Sequence, residues 1–138
     1  MGFTTVWLSP VYLMRTDKFM GHGAFHGYWV RDIGQVEPRF GTEEQLKQLV
    51  DEAHARGLKV LLDVVYNHLG PEGICLRDFG PYFTDFYRTP WGEAINFDGP
   101  HNEHVRRYFI ANALQWVDEF RIDALRLDAV HAMEIRRG

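Results

Sequence analysis

Two Arg-x-Asp pairs stand close together in RIDALRLDAVHAM, the stretch from Arg121 to Met133: Arg121 with Asp123, and Arg126 with Asp128. In an extended chain, residues two apart point to the same side, so Arg126 faces the same way as Asp128. A fixed guanidinium there would keep the carboxylate ionised and hold its orientation. Asp123 lies at an odd offset from Asp128 and faces the other side of an extended strand, which makes it a structural residue. A second group of chemically capable residues is DVVYNH, Asp63 to His68. An Arg-Asp pair inside a strand is often only an ion pair, and a histidine such as His68 can simply cap a strand. Two strand ends carrying the same residue classes tilt the balance towards a site.

These groups need elements to position them. TTVWLSPVY, near the amino terminus, is a β-branched and aromatic run closed by Ser9-Pro10, and is expected to be a buried strand. LKVLLDVV reads as a buried strand and DALRLDAV as a third strand. GTEEQLKQLVDEAHARG is a helix: Thr42 and Gln45 form a capping box, Leu46, Leu49, Val50 and Ala53 make an apolar stripe, and Gly57 ends it. A second helix is expected over about 102–120, with Val105, Phe109, Trp116, Val117 and Phe120 mostly on one face. Residues 11–41 and 66–100 read as long loops rich in glycine, aromatics and proline, and loops of that length are usually functional or disordered. Strand, loop, helix, strand, repeated, is the signature of a parallel α/β architecture over one domain, 1–138. Charges inside such strands are costly unless paired, and chemistry sits at the carboxyl ends of the strands. Asn67-His68 and Asp128 with His131 are at those ends.

Composition narrows the partners. The net charge is −4 with no basic block, which disfavours nucleic acid. The single cysteine, Cys75, excludes an internal disulfide framework, and no His-x-His pair or Cys/His spacing suggests a metal. The apolar amino terminus lacks a basic region and is interrupted by Pro10, so it is read as a strand and not as a signal peptide. No apolar run reaches the ~18 residues of a membrane span. A cytoplasmic location is the default expectation. Aromatics make up 14% of the chain; most would pack in the core, but such rings also stack on sugars.

With those residues in view, the chain resembles the α-amylase family of glycoside hydrolases. DVVYNH resembles the family's motif at the end of the third barrel strand, and LRLDAVH (Leu125–His131) the motif at the end of the fourth. FHGYWVRD (Phe25–Asp32) resembles the segment after the second strand that supplies a sugar-stacking tyrosine, and EPRFGT (Glu37–Thr42) continues it. Within the family, YNHLGPEG, PYFTDFYRTPWGEAINFDGP and RLDAVHAM resemble the maltooligosyltrehalose trehalohydrolases, whereas the upstream half looks more like a general α-amylase. GICLRDFG (Gly73–Gly80) departs locally, with Ile74-Cys75 where the family more often has a polar-aromatic pair.

The resemblance implies a partial (β/α)8 barrel, about strands two to four, and an α-glucan or maltooligosyl trehalose substrate with no cofactor. It implies Asp128 as the nucleophile of a retaining mechanism, with Arg126 beside it. His68, His131, His26 and Tyr28 would contact the sugar, with Tyr28 as the stacking platform, and Trp91 would line the acceptor side. Asp63 and Asn67 would give structural support. Asn67 binds calcium in many relatives, but the full ligand set is not recognisable here and no metal is expected. The family's acid/base glutamate and a third carboxylate come from strands five and seven; Glu134 is not assigned that role. A whole barrel needs about 250 residues. The expectation is therefore a truncated or frameshifted chain, catalytically weak by itself, with open sheet edges prone to self-association. The alternatives are an α-amylase or glucan branching enzyme fragment, or a non-catalytic carbohydrate-binding or assembly module.

Overall fold

The computed structural model describes residues 2–14, 26–70 and 75–133. Phe25, Ile74 and Glu134, which enter the readings above, lie outside them. Three strands, β1 (Thr5–Leu8), β4 (Lys59–Val65) and β7 (Ala124–Asp128), form a parallel sheet in the order β1-β4-β7. Helix α1 (Glu43–Ala55) precedes β4, and α2 (Asn102–Asp118) precedes β7. Parallel strands need such crossovers, because the chain must return to the same end of the sheet before pairing again.

The segments expected as loops carry structure of their own. β2 (Tyr12–Met14) pairs antiparallel with β3 (Val30–Val36), and β5 (Phe83–Thr89) pairs antiparallel with β6 (Gly92–Ile95). Both ladders are broken by register shifts. Irregular pairing removes the strict two-residue alternation by which a half-buried strand is recognised in sequence. The expected buried first strand is also corrected. Among the described residues β1 is paired on one side only, and Thr5 and Trp7 are exposed.

The capping box on α1 is present: Gln45 N–H donates to Thr42 Oγ1 at 3.3 Å, and Thr42 N–H donates to Gln45 Oε1 at 2.9 Å. At the other end Gly57 has φ +72°, a left-handed conformation that glycine adopts without steric penalty. Leu46, Val50 and Ala53 are buried, but Leu49 is exposed. On α2, Val105, Phe109 and Trp116 are buried, as is Phe120 just beyond it, while Val117 faces outward. The helical stripe is narrower in both cases than the apolar positions suggest. Val60, Leu62 and Val64 of the central strand are fully buried in the same core cluster as these helix residues.

Two polar clasps hold the layers together. Asn112, buried on α2, accepts from the Tyr66 hydroxyl (2.8 Å) and the Trp116 indole N–H (3.1 Å) and donates to the Ile33 carbonyl (2.7 Å). One side chain thus ties α2 to β3 and to the end of β4. Asp123 lies just before β7, not inside it. Its Oδ2 accepts from Val60 N–H (2.7 Å) and from His54 Nε2–H (2.8 Å). That places it at the amino-terminal end of the sheet, where it joins α1, β4 and the entry to β7. Among the described residues, no helix is long and apolar enough to cross a membrane.

Two outcomes follow from these clasps. Asn112→Leu strands three buried polar groups at once and is expected to cost about 3 kcal/mol, seen as a lower urea midpoint; a change under about 0.5 kcal/mol would remove Asn112 from its tying role. The Asp123 carboxyl lies below its ordinary pKa, first through the Val60 N–H and then through His54. Folding therefore favours the ionised form. Its stabilisation is complete above the unfolded pKa of about 4 and is lost as pH falls through the lower folded value. Urea midpoints measured down through that acidic window should fall in the unmodified chain and fall less in Asp123→Asn; parallel profiles would show that the carboxylate contributes nothing.

Candidate active site

The carboxyl ends of β4 and β7 bring charges together on one face of the sheet. Asp63 is directly opposite Arg126 in the register, and Val65 is opposite Asp128. The Asp63 side chain is 1% exposed, too buried to remain charged without a partner. Arg126 supplies that partner: its Nη1 donates to Asp63 Oδ1 (3.0 Å) and Oδ2 (3.1 Å). The same nitrogen donates to Asp128 Oδ1 at 2.5 Å. The two carboxylates, Asp63 foremost, push the guanidinium pKa up and keep it charged. Its Cζ lies 5.7 Å from the centre of the Trp7 ring, which supports the cation from β1, across the central strand.

Tyr28 joins the same network from the segment before β3. Its hydroxyl donates to Asp63 Oδ2 at 3.0 Å. Burial, and then this bond, raise the phenol's pKa, so it stays protonated and donating. Gly27, with φ +83°, makes the approach possible. A Cβ at that position would come within 2.8 Å of the Pro10 carbonyl oxygen. His26 stacks on Tyr28 (centroids 5.8 Å apart, planes at 21°) and meets Trp29 edge-on at 4.9 Å; its Nδ1 accepts from Tyr28 N–H. Burial lowers the His26 pKa.

The opposite wall comes from the β5–β6 turn. Gly92, which opens β6 just after that turn, packs against the loop after β4; a Cβ there would meet the Leu69 carbonyl oxygen at 2.9 Å. This contact brings Trp91 over His68, with ring centroids 5.1 Å apart and planes at 28°. Burial lowers the His68 pKa, opposed by its bond to the Tyr28 carbonyl and by Asp128. Between the walls lies an open cleft of about 370 Å³ lined by His26, Tyr28, Trp29, His68, Trp91 and Asp128.

Six of the residues singled out in the sequence therefore converge: Asp128, Tyr28, His26, His68 and Trp91 line the cleft, and Arg126 holds Asp128 beside it. Asp63 lies beneath them, and Asn67 is buried with its Nδ2 3.2 Å from His68 Nδ1. His131 is exposed on the short helical turn after β7 and meets Trp91 edge-on at 6.4 Å, outside the cleft lining. Trp29 was not anticipated. Its place beside Tyr28 in Gly-Tyr-Trp was the available signal, but in a segment read as loop no periodicity says which side chains converge. No group of three or more His, Cys, Asp or Glu side chains positioned to hold a metal occurs among the described residues. The arrangement offers one carboxylate fixed by a cation at the floor of an aromatic-walled cleft, which suits attack on, or stabilisation of, an electron-poor carbon in a ring that stacks on aromatics.

Known proteins share this arrangement of elements. A family model described as alpha amylase, catalytic domain, matches residues 1–80. The malto-oligosyltrehalose trehalohydrolase of Saccharolobus solfataricus is 40% identical over 133 residues, covering 96% of this chain and 23% of that protein. The enzyme of the same name from Arthrobacter ramosus is 44% identical over 138 residues, covering 100% and 23%. The chain thus spans under a quarter of the length of these curated relatives. Among solved structures, a putative alpha amylase from Salmonella typhimurium aligns with a TM-score of 0.83 and 33% identity, over 98% of this chain and 22% of that one.

Asp63→Asn leaves the guanidinium short of one charge. A fully buried broken pair costs about 3–5 kcal/mol; Arg126 is 39% exposed, so the expected loss here is smaller, about 2 kcal/mol. Tyr28→Phe removes one neutral donor and should cost about 1 kcal/mol. Urea unfolding of the two variants checks the order, and Tyr28→Phe proving the more damaging would displace the Asp63–Arg126 pair from the centre of the site.

Proposed function

The chain belongs to the α-amylase family, and from that premise we propose that it carries part of the active site of a retaining glycoside hydrolase acting on α-glucans, of the maltooligosyltrehalose trehalohydrolase type. The observation that carries this reading is the Asp63–Arg126–Asp128 chain at the ends of adjacent parallel strands, opening into an aromatic cleft. The three parallel strands correspond in this reading to strands two to four of a (β/α)8 barrel, whose chemistry lies at the carboxyl ends. Asp128 is the nucleophile: its carboxylate forms a bond to the anomeric carbon as the glycosidic bond breaks, giving a covalent glycosyl-enzyme. Arg126 holds it in place. Tyr28 stacks under the reacting sugar, and His26 and Trp91 make the surrounding contacts, with His131 at the margin of the cleft.

A retaining mechanism also needs a second carboxylate, about 5–5.5 Å from the first, to protonate the leaving group. In the α-amylase pattern that residue comes from a later strand than β7. Slow or absent turnover of ordinary glucans by the 138 residues alone is part of the reading. So is self-association, which the exposed Trp7, Leu127 and Val130 support, β1 and β7 each being paired on one side only among the described residues. The match to the alpha-amylase catalytic domain and the likeness to the Salmonella putative alpha amylase favour a plain α-amylase as the second reading.

A maltosyl fluoride of α configuration tests the nucleophile directly, because fluoride departs without a proton from an acid. Intact-mass and peptide mass spectrometry are expected to find one added maltosyl group, on Asp128, and none in Asp128→Asn. An adduct elsewhere, or none, would overturn the assignment. Calorimetry then separates the two specificities. Tighter binding of a maltooligosyl trehalose than of a maltooligosaccharide of equal length supports the trehalohydrolase type, and equal binding supports the amylase.

A further inference from the structure

A second open cleft, of about 410 Å³, lies at the base of the β5–β6 hairpin and shares no lining residue with the cleft beside Asp128. The β5–β6 ladder passes from the Thr84–Ala94 pair straight to Arg88–Glu93, so Asp85, Phe86 and Tyr87 have no residue opposite them. A bulge of this kind re-aims side chains away from the alternation of the strand. It is anchored at both ends. Phe86 N–H donates to Thr84 Oγ1 at 3.2 Å, and the Tyr87 hydroxyl donates to Asp98 Oδ2 at 2.7 Å. The outcome is that Phe86 lines the cleft while 61% exposed. Buried Asn96 stiffens the far wall: its amide donates to the Pro81 and Pro100 carbonyls, and its oxygen accepts from Gly99 N–H. Arg77 pairs with Glu93 and holds its Cζ 5.2 Å from the centre of the Phe83 ring. Among the described residues, Arg77 stands in this cleft against Asp85 and Glu93, and even a charged His101 would only bring the sum to zero. Such a lining does not select an anion. It suits a neutral ring that lays one face on an aromatic side chain and whose hydroxyls both donate to carboxylates and accept from a guanidinium.

We propose that this cleft is a second glucan-binding site, separate from the one beside Asp128, in which a glucose ring rests on Phe86 and its hydroxyls meet Asp85, Glu93 and Arg77. The choice of a neutral sugar follows from the lining; the choice of an α-glucan rests on the function proposed for the other cleft. The two clefts share one hairpin. Phe86 and Trp91 are five residues apart, which an extended chain spans in about 18 Å at most. A polymer held at Phe86 is thereby kept near the other cleft, which raises its effective concentration there.

Maltotriose, titrated into the intact chain and followed by backbone amide signals, reads the two clefts separately. The Thr84, Asp85 and Glu93 amides report on the hairpin cleft, and those of Tyr28 and Trp29 on the other. Both groups are expected to shift and saturate. Phe86→Ala, at an exposed position, is expected to weaken the hairpin titration by about tenfold and to move the midpoint at Tyr28 and Trp29 by less than about twofold. Glu93→Gln keeps the size of the side chain and is expected to weaken the hairpin titration in the same direction, read at Thr84 and Asp85. Hairpin signals that stay still, drift without saturating, or titrate unchanged in Phe86→Ala would overturn the second site. So would Tyr28→Ala abolishing both titrations together, which would mean one glucan reaching out from the cleft beside Asp128. If Tyr28→Ala does not fold, the Phe86 and Glu93 variants decide. Inorganic phosphate is expected to move neither group, and a saturable phosphate shift at the hairpin would overturn the neutral-sugar assignment. Saturation at the hairpin with no response at Tyr28 and Trp29 would support this site and count against the function proposed for the other cleft; the reverse pattern would overturn this site alone.

Discussion

A carboxylate with 1% of its side chain exposed, on the central strand of a parallel sheet, imposes the arrangement of everything around it. Water cannot solvate Asp63, so the protein must supply its partners. β7 supplies Arg126 at the paired register position, and the segment before β3 supplies the Tyr28 hydroxyl. Arg126 then has donor capacity to spare, and the carboxylate two residues further along its own strand takes it up. Asp128 is therefore oriented by a charge that is itself anchored in the core. The reactive group inherits the rigidity of the sheet.

The two walls of the cleft are held by weaker and more varied contacts. Tyr28 depends on its bond to Asp63, on the close approach of Gly27 to Pro10, and on His68. Trp91 depends on the contact of Gly92 with Leu69 and on the face of His68. Both hairpins are inserted between a strand and the following helix, so their geometry can vary without disturbing the parallel ladder. That separates the two tasks: the sheet aligns the charged groups and the hairpins shape the space above them. Asn112 and Asp123, remote from the cleft, keep the helices seated on the sheet that does the aligning.

Much of the fold was legible because it rests on local signals. The capping box at Thr42 and Gln45, the glycine at position 57 and the apolar runs of β4 and β7 each have a direct physical cause within a few residues. The hairpins were not legible. Their ladders are irregular, and what stabilises them is contact with residues far away in the chain, as with Gly70 N–H donating to the Val30 carbonyl at 2.7 Å. Leu49 and Val117 were misplaced for a related reason. Helical periodicity says which residues share a stripe, but the width of the buried stripe is set by what packs against it.

The sequence by itself determined which residues could do chemistry and that they would share a strand end. The two-residue repeat of an extended chain places Arg126 and Asp128 on one side, and a charge within an apolar run demands a counter-charge. Only the tertiary structure decided the pairings: that Arg126 meets Asp63 across the ladder, and that Trp91 closes over His68 while His131 stays at the margin. Those choices depend on strand register and on contacts between segments tens of residues apart. No local pattern encodes them, because their free energy comes from bringing distant parts of the chain together.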